Sequence, residues 1–161
     1  MRSWVMGLLL AGAIINTAGC AVAQEESALL GKRAPDFTLE RAKGTSASLY
    51  ELIKGKKAIL FFFASWCPHC REQLKEISTR KAEIKQEGIE IVLININEPK
   101  AKVLSLLEKY NVEYDSFMDS NSFVAQTYQV AGIPTLVFIG SDGLVRYVEY
   151  GMPNNYKQIL N

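Results

Sequence analysis

Apolar positions fall into a few dense runs whose periods differ. Ala58-Ile59-Leu60-Phe61-Phe62-Phe63-Ala64, in the stretch from Lys57 to Ala64, has no polar alternation and is rich in aromatic and β-branched side chains, which predicts a central strand buried on both faces. Ile89 to Ile96 is a second strongly apolar run and predicts the next strand. Between them, from about Cys67 to Gln86, Leu74, Ile77 and Ile84 mark the apolar stripe of one helix. Glu76–Arg80 is an i,i+4 pair on its wet side, and Gly88 ends it. Pro99 suits the first turn of a helix reaching about Tyr110, with Val103, Leu104, Leu107 and Tyr110 turned inward. A short strand at Ser116–Met118 and a helix over Ser122–Tyr128 come next. Thr135 to Ile139 and Leu144 to Tyr150 read as strands joined by the turn Gly140-Ser141-Asp142-Gly143, and residues 153–160 as a last short helix. Upstream, Ala34 to Leu39 looks like a short strand and Leu49 to Ile53 a helical turn. A βαβα order followed by a hairpin and a helix predicts an α/β fold, a mixed central sheet flanked by helices on both faces.

The N-terminus follows a different pattern. Arg2 precedes an apolar run from Trp4 to Ile15, shorter than the roughly 20 residues that span a bilayer. Residues 1–23 therefore read as a signal peptide. Two cleavage sites compete. Thr17-Ala18-Gly19-Cys20 resembles a bacterial lipobox, which would make Cys20 the lipidated first residue of a membrane-anchored protein, although Thr17 stands where such boxes usually carry an aliphatic residue. Ala21-Val22-Ala23 resembles an ordinary A-x-A site, leaving Gln24 first. Both readings export the chain. Residues 24–33, small and polar, read as a tether ahead of a single domain over 34–161.

Charge narrows the partners. The 161 residues include 18 Lys plus Arg against 17 Asp plus Glu, and loss of Arg2 with the leader balances the two. Such a chain has no electrostatic case for nucleic acid and no basic block for an anionic membrane. Of the three cysteines, Cys20 is lipidated or removed, so the mature domain keeps Cys67 and Cys70. Two cysteines this close cannot staple distant segments, and an exported pair of this kind points to catalysis.

Trp66-Cys67-Pro68-His69-Cys70 leaves the buried strand and opens the helix. A thiolate attacks disulfides, and a helix N-terminus stabilises it through free N–H groups and the dipole. Pro68 loses nothing in a first turn. Cys67 is expected to be the exposed nucleophile and Cys70, one turn inside, the resolving thiol. Zinc would need four ligands, and the chain offers one Cys pair and one histidine, His69. No metal or other cofactor is expected.

Gly31, Ala34-Pro35-Asp36-Phe37-Thr38-Leu39, Leu49-Tyr50-Glu51-Leu52, Gly55-Lys56-Lys57, Phe63-Ala64-Ser65-Trp66-Cys67-Pro68-His69-Cys70 and Gly132-Ile133-Pro134-Thr135-Leu136 together resemble the redoxin branch of the thioredoxin superfamily. Within it the chain is most similar to the TlpA/ResA-like exported thiol–disulfide oxidoreductases, several of which serve cytochrome c maturation. The resemblance implies a thioredoxin-like fold, protein disulfides or dithiols as substrates, and a membrane or periplasmic electron donor. It also implies a cis Ile133–Pro134 bond facing the dithiol, with Trp66, Ile133 and Pro134 contacting substrate. Glu98 matches an active-site glutamate of ResA-like proteins that would take the proton of Cys70; a helix-end charge ahead of Pro99 is the plainer role. Phe61 replaces the buried Asp of thioredoxins. Pro68 and His69 are expected to tune the couple, with the His69 ring donating to the Cys67 sulfur. That quartet resembles oxidising Dsb proteins, whereas the redoxin frame implies a reductant. A peroxiredoxin would need Pro and Thr or Ser where Leu60 and Ala64 stand. A Cu(I)-binding redoxin module would use the two thiolates and an outside ligand.

Overall fold

The computed structural model describes residues 27–161; the leader, Cys20 and the start of the tether lie outside the described residues. Strand β3 (Lys57–Phe63) is the axis of a seven-stranded mixed sheet of order β2-β1-β5-β4-β3-β6-β7. It pairs in parallel with β4 (Ile89–Ile96) and antiparallel with β6 (Thr135–Ile139). Its side chains alternate between two cores. Ile59, Phe61 and Phe63 enter one, against α2 (Pro68–Thr79), α3 (Lys81–Gln86), α4 (Lys100–Lys109) and α6 (Tyr156–Ile159). Ala58, Leu60 and Phe62 enter the other, against α1 (Leu49–Ile53) and α5 (Phe123–Thr127). Burial of each large apolar side chain contributes about 1.5–3 kcal/mol, so β3 and its neighbours are the rigid part of the molecule.

The remaining strands are shorter. β1 (Thr38–Arg41) pairs with β2 (Ser46–Ser48) and with β5 (Ser116–Asp119), and β7 (Val145–Glu149) closes the far edge beside β6. The Gly140–Gly143 turn has Gly143 at φ +81°, as a tight hairpin requires.

The structure departs from the sequence reading in five places. The strand expected from Ala34 starts at Thr38, because Pro35 has no N–H and the Asp36 side chain takes the N–H of Phe37. The hairpin partner β2 was not expected. The single helix expected from Cys67 to Gln86 is two, α2 and α3, jointed at Arg80. There the Thr79 hydroxyl bonds back to the Lys75 carbonyl and the Ser78 hydroxyl bonds the Asn111 carbonyl, a competition that loosens helices. Residues 29–33 are no free tether. Leu29 is only 8% exposed, the Gly31 N–H donates to the Val145 carbonyl, the Val145 N–H donates to the Lys32 carbonyl, and Arg33 bridges Leu144. In α4 the stripe is Val103, Leu106 and Leu107, while Leu104 and Tyr110 are half-buried.

Asp119, fully buried at the end of β5, accepts the N–H groups of Val124 (3.2 Å) and Ala125 (2.8 Å) and so caps α5 from a distance. Asp119→Ala orphans both donors and is expected to destabilise the domain by about 2–4 kcal/mol in urea titration.

Candidate active site

The buried axis strand delivers the chain to the end of the sheet at Ala64, and the dithiol follows within one turn. Cys67 is the N-cap of α2: its sulfur accepts the N–H of Cys70 at 3.2 Å, and Pro68 occupies the first helical position, where no donor is needed. A sulfur so placed meets the positive end of the helix. The Ile133–Pro134 peptide is cis, and the Cys67 thiol donates to the Ile133 carbonyl at 3.7 Å. Thr135 holds this loop by donating its hydroxyl to the Gly132 carbonyl at 2.6 Å.

Cys67, expected to be exposed, is only 4% so, because the Ile133 loop lies against its sulfur; Cys70 is at 0%. What is open is the rim. Trp66 is 67% exposed, and a cavity of about 430 Å³ beside the thiols is lined by His69, Glu72, Gln73, Glu76, Ile133, Pro134 and Tyr150. Gln73 forms its buried wall, accepting the Met152 N–H at 2.9 Å and donating to Glu76 at 2.9 Å. A second cavity, about 220 Å³ and lined by Phe37, Phe123 and Tyr128 among others, includes none of these residues.

The two thiols differ sharply. Burial, then the hydrogen bond with Cys67, pushes the Cys70 thiol far above its ordinary range, and the Ala64 backbone N–H and the Arg71 charge only partly offset this. Cys70 therefore stays protonated at neutral pH and needs a base before it can attack.

Glu98 lies beyond the end of β4. Its Oε2 accepts the Ser65 N–H (2.6 Å) and the Asn95 side-chain amide (2.8 Å), and its Oε1 accepts the Ser65 hydroxyl (2.6 Å). Burial pushes this carboxyl up, but the Ser65 and Asn95 hydrogen bonds and the Lys102 charge outweigh it and hold Glu98 below the usual carboxylate range. Glu98 thus grips the peptide next to Ala64, whose own N–H serves Cys70. From the other side the Arg71 guanidinium donates to the Ser65 carbonyl at 3.1 Å and the Trp66 carbonyl at 3.4 Å. Ser65, Asn95 and Arg71 were not foreseen; the available signal was a lone amide near the end of the apolar run Ile91–Ile96.

His69 does not reach the Cys67 sulfur. Its Nδ1 lies 3.3 Å from Glu72 Oε2, one turn along the exposed face of α2. Phe61 stacks near Phe63 with ring centroids 5.6 Å apart, so the strand carries no proton acceptor where thioredoxins keep an Asp.

The AhpC/TSA family matches residues 30–148. The thiol-disulfide oxidoreductase ResA of Bacillus subtilis (strain 168) is 29% identical over 151 residues, 94% of this chain and 84% of that protein. ResA of Halalkalibacterium halodurans is 30% identical over 129 residues, 80% and 73% of the two chains. A solved thiol:disulfide interchange protein of the thioredoxin family from Chlorobium tepidum TLS superposes with a TM-score of 0.69 at 27% identity, covering 80% of this chain and 92% of its own. A secreted disulfide oxidoreductase from Mycobacterium tuberculosis has the same fold, with a TM-score of 0.67 at 23% identity over 77% of this chain and 93% of that one. The family match spans most of the domain, and both ResA relatives are thiol-disulfide oxidoreductases: the chain belongs to the AhpC/TSA family, as a thiol–disulfide oxidoreductase of thioredoxin-like fold.

Proposed function

We propose that the Cys67–Cys70 dithiol reduces disulfides of other proteins outside the cytoplasm. The observation that carries this reading is the asymmetry of the sulfurs: Cys67 sits at the helix terminus against the Ile133 carbonyl, Cys70 is sealed behind it with its proton held tightly. The Cys67 thiolate attacks a substrate disulfide, one Cys67–S–S bond forms, and the first substrate thiolate leaves and takes a proton from solvent. Cys70 then gives its proton to the Glu98 carboxylate through solvent at the Ser65 turn. The resulting thiolate attacks the Cys67 sulfur, and the second substrate thiolate departs and is protonated. Two electrons have passed to the substrate, and Cys67–Cys70 is left as a disulfide for an external dithiol donor to reduce.

Trp66, Ile133, Pro134 and the rim cavity would receive an extended substrate segment, whose backbone can meet the loop that now holds the Cys67 thiol. The reducing direction is favoured over a Dsb-like oxidant by the turn of His69 toward Glu72, which denies the thiolate an imidazole donor. His69 and Pro68 then tune the couple only through charge at a distance and the shape of the first turn. Export rests on the leader pattern of residues 1–23, anchoring on Cys20, and service to cytochrome c maturation on the resemblance to TlpA/ResA-like proteins.

Cys67→Ser is expected to abolish reduction of insulin disulfides, and Cys70→Ser to accumulate mixed disulfides that mass spectrometry can identify. Greater alkylation of Cys70 than of Cys67 at neutral pH would reverse the roles. Glu98→Gln keeps an acceptor for the Ser65 N–H but no basic oxygen, so it should slow resolution of the mixed disulfide without slowing its formation. The sign follows from the lowered pKa: wild-type Glu98 remains a base well into acid and loses that role only as pH falls through its depressed value, a limb absent from the variant. Palmitate labelling should tag the wild type and spare Cys20→Ala; an unlabelled protein beginning at Gln24 would make the mature form soluble.

A further inference from the structure

We propose that Asn95 is a positioning residue for the resolving step, holding one oxygen of Glu98 fixed so that the other can carry the proton of Cys70. The inference rests on the reading of Glu98 as the base and adds the residue that makes it one. Asn95 is the penultimate residue of β4 and its last buried position, in register with Phe63, the last residue of β3. An amide among apolar neighbours is retained at a cost unless each polar atom is bonded. Here the bonding is one-sided. Nδ2 donates to Glu98 Oε2 at 2.8 Å and more weakly to the Phe63 carbonyl at 3.4 Å, while Oδ1 has no partner. An amide kept for packing would be better replaced by Leu; the bond it gives to Glu98 is the only strong one it makes.

The geometry gives the two carboxylate oxygens different work. Oε2 is pinned by two N–H groups, from Asn95 and Ser65, neither of which can accept a proton. Oε1 faces only the Ser65 hydroxyl, which can turn from donor to acceptor when that oxygen is protonated. A proton from Cys70 therefore belongs on Oε1, and the half-buried Ser65 hydroxyl gives it a way out to water. The charged groups that act on this carboxylate are Lys102 from α4 and, through the Ser65 carbonyl, Arg71 from α2; its bonds go to Ser65 and Asn95 and not to the sulfurs. Lys102 also favours the anion, but Asn95 alone among the side chains of β4 touches it.

Two variants test this on the full mature protein. Asn95→Leu fills the same space without a donor. Asn95→Asp keeps the shape but places a second carboxyl against Glu98, so that the pair must share a proton. The titration of the Glu98 carboxyl, followed by carbon NMR on the reduced protein, should move to higher pH in both. The acid limb of mixed-disulfide resolution should move with it by about one pH unit, slowing that step roughly tenfold at pH values below the wild-type Glu98 titration and little at neutral pH, the effect of losing one charge-assisted hydrogen bond. Alkylation of Cys67 serves as the reference for an intact fold, and if the Leu variant does not fold, the isosteric Asp variant carries the test alone. A Glu98 titration unmoved by the substitution overturns the proposal, as does a moved titration with an unmoved rate profile. If Glu98→Gln also resolves mixed disulfides at the wild-type rate, the error lies in Glu98 as base rather than in Asn95 as its support.

Discussion

The site depends on one constraint, the burial of β3 on both faces. A strand with Ile59, Phe61 and Phe63 in one core and Leu60 and Phe62 in the other cannot slide or tilt without exposing aromatic surface to water. Its end is therefore a fixed point, and Cys67, the N-cap of α2, lies four residues beyond it. The helix that follows is equally tied, with Leu74 and Ile77 in the same core as Phe61 and Phe63. Strand end and helix start together leave the sulfur of Cys67 one place to be, against the N–H of Cys70 and under the Ile133 carbonyl. Apolar packing places the dithiol turn, and the polar contacts at the site hold it where that packing has put it.

The same packing makes the sulfurs unequal. Both thiols belong to the core cluster that contains Leu74 and Leu136, but Cys70 is fully sealed within it and Cys67 lies at its margin, against the loop before β6. Burial that stabilises the domain raises the barrier to ionising Cys70, so the resolving step needs a proton acceptor that the core cannot supply. With Phe61 in the strand position that thioredoxins use, the acceptor has to come from beyond the sheet. Glu98 approaches from the end of β4 and touches the backbone of the turn rather than the sulfur itself.

The sequence was legible where physical necessity repeats along the chain. β4 and β6 have the bounds their apolar runs predict, β3 falls one residue short of its run, and the strand-to-helix setting of the cysteine pair follows from Pro68 and the apolar stripe. It was illegible where a few local bonds decide. The joint at Arg80 depends on where two hydroxyls find acceptors, and the docking of residues 29–33 on Val145 depends on backbone groups that carry no side-chain signature. Cys67 could not be seen to be covered, because the covering carbonyl comes from 66 residues away. His69 was misplaced for a related reason: proximity in the motif says nothing of its alternative partner, and Glu72 lies one turn along on the same exposed face.

Buried polar side chains mark the working end of the sheet. Asn95 lies near the end of β4, Asp119 ends β5, and Thr135 begins β6, which runs the opposite way; the pairings of Phe63 with Asn95, Phe62 with Thr135 and Ile96 with Asp119 bring all three to one edge. None is spent within the core. Asn95 reaches Glu98, Asp119 holds the start of α5, and Thr135 holds Gly132 in the loop over Cys67. An irregular segment packed against a buried edge has backbone groups that water cannot serve, and a side chain anchored in a rigid strand serves them at a fixed position. The polar residues that interrupt the apolar runs thus transfer the rigidity of the sheet to the loops that do the chemistry. The dithiol turn is held in the same way from both sides, by Glu98 on its N–H and by Arg71 on its carbonyls.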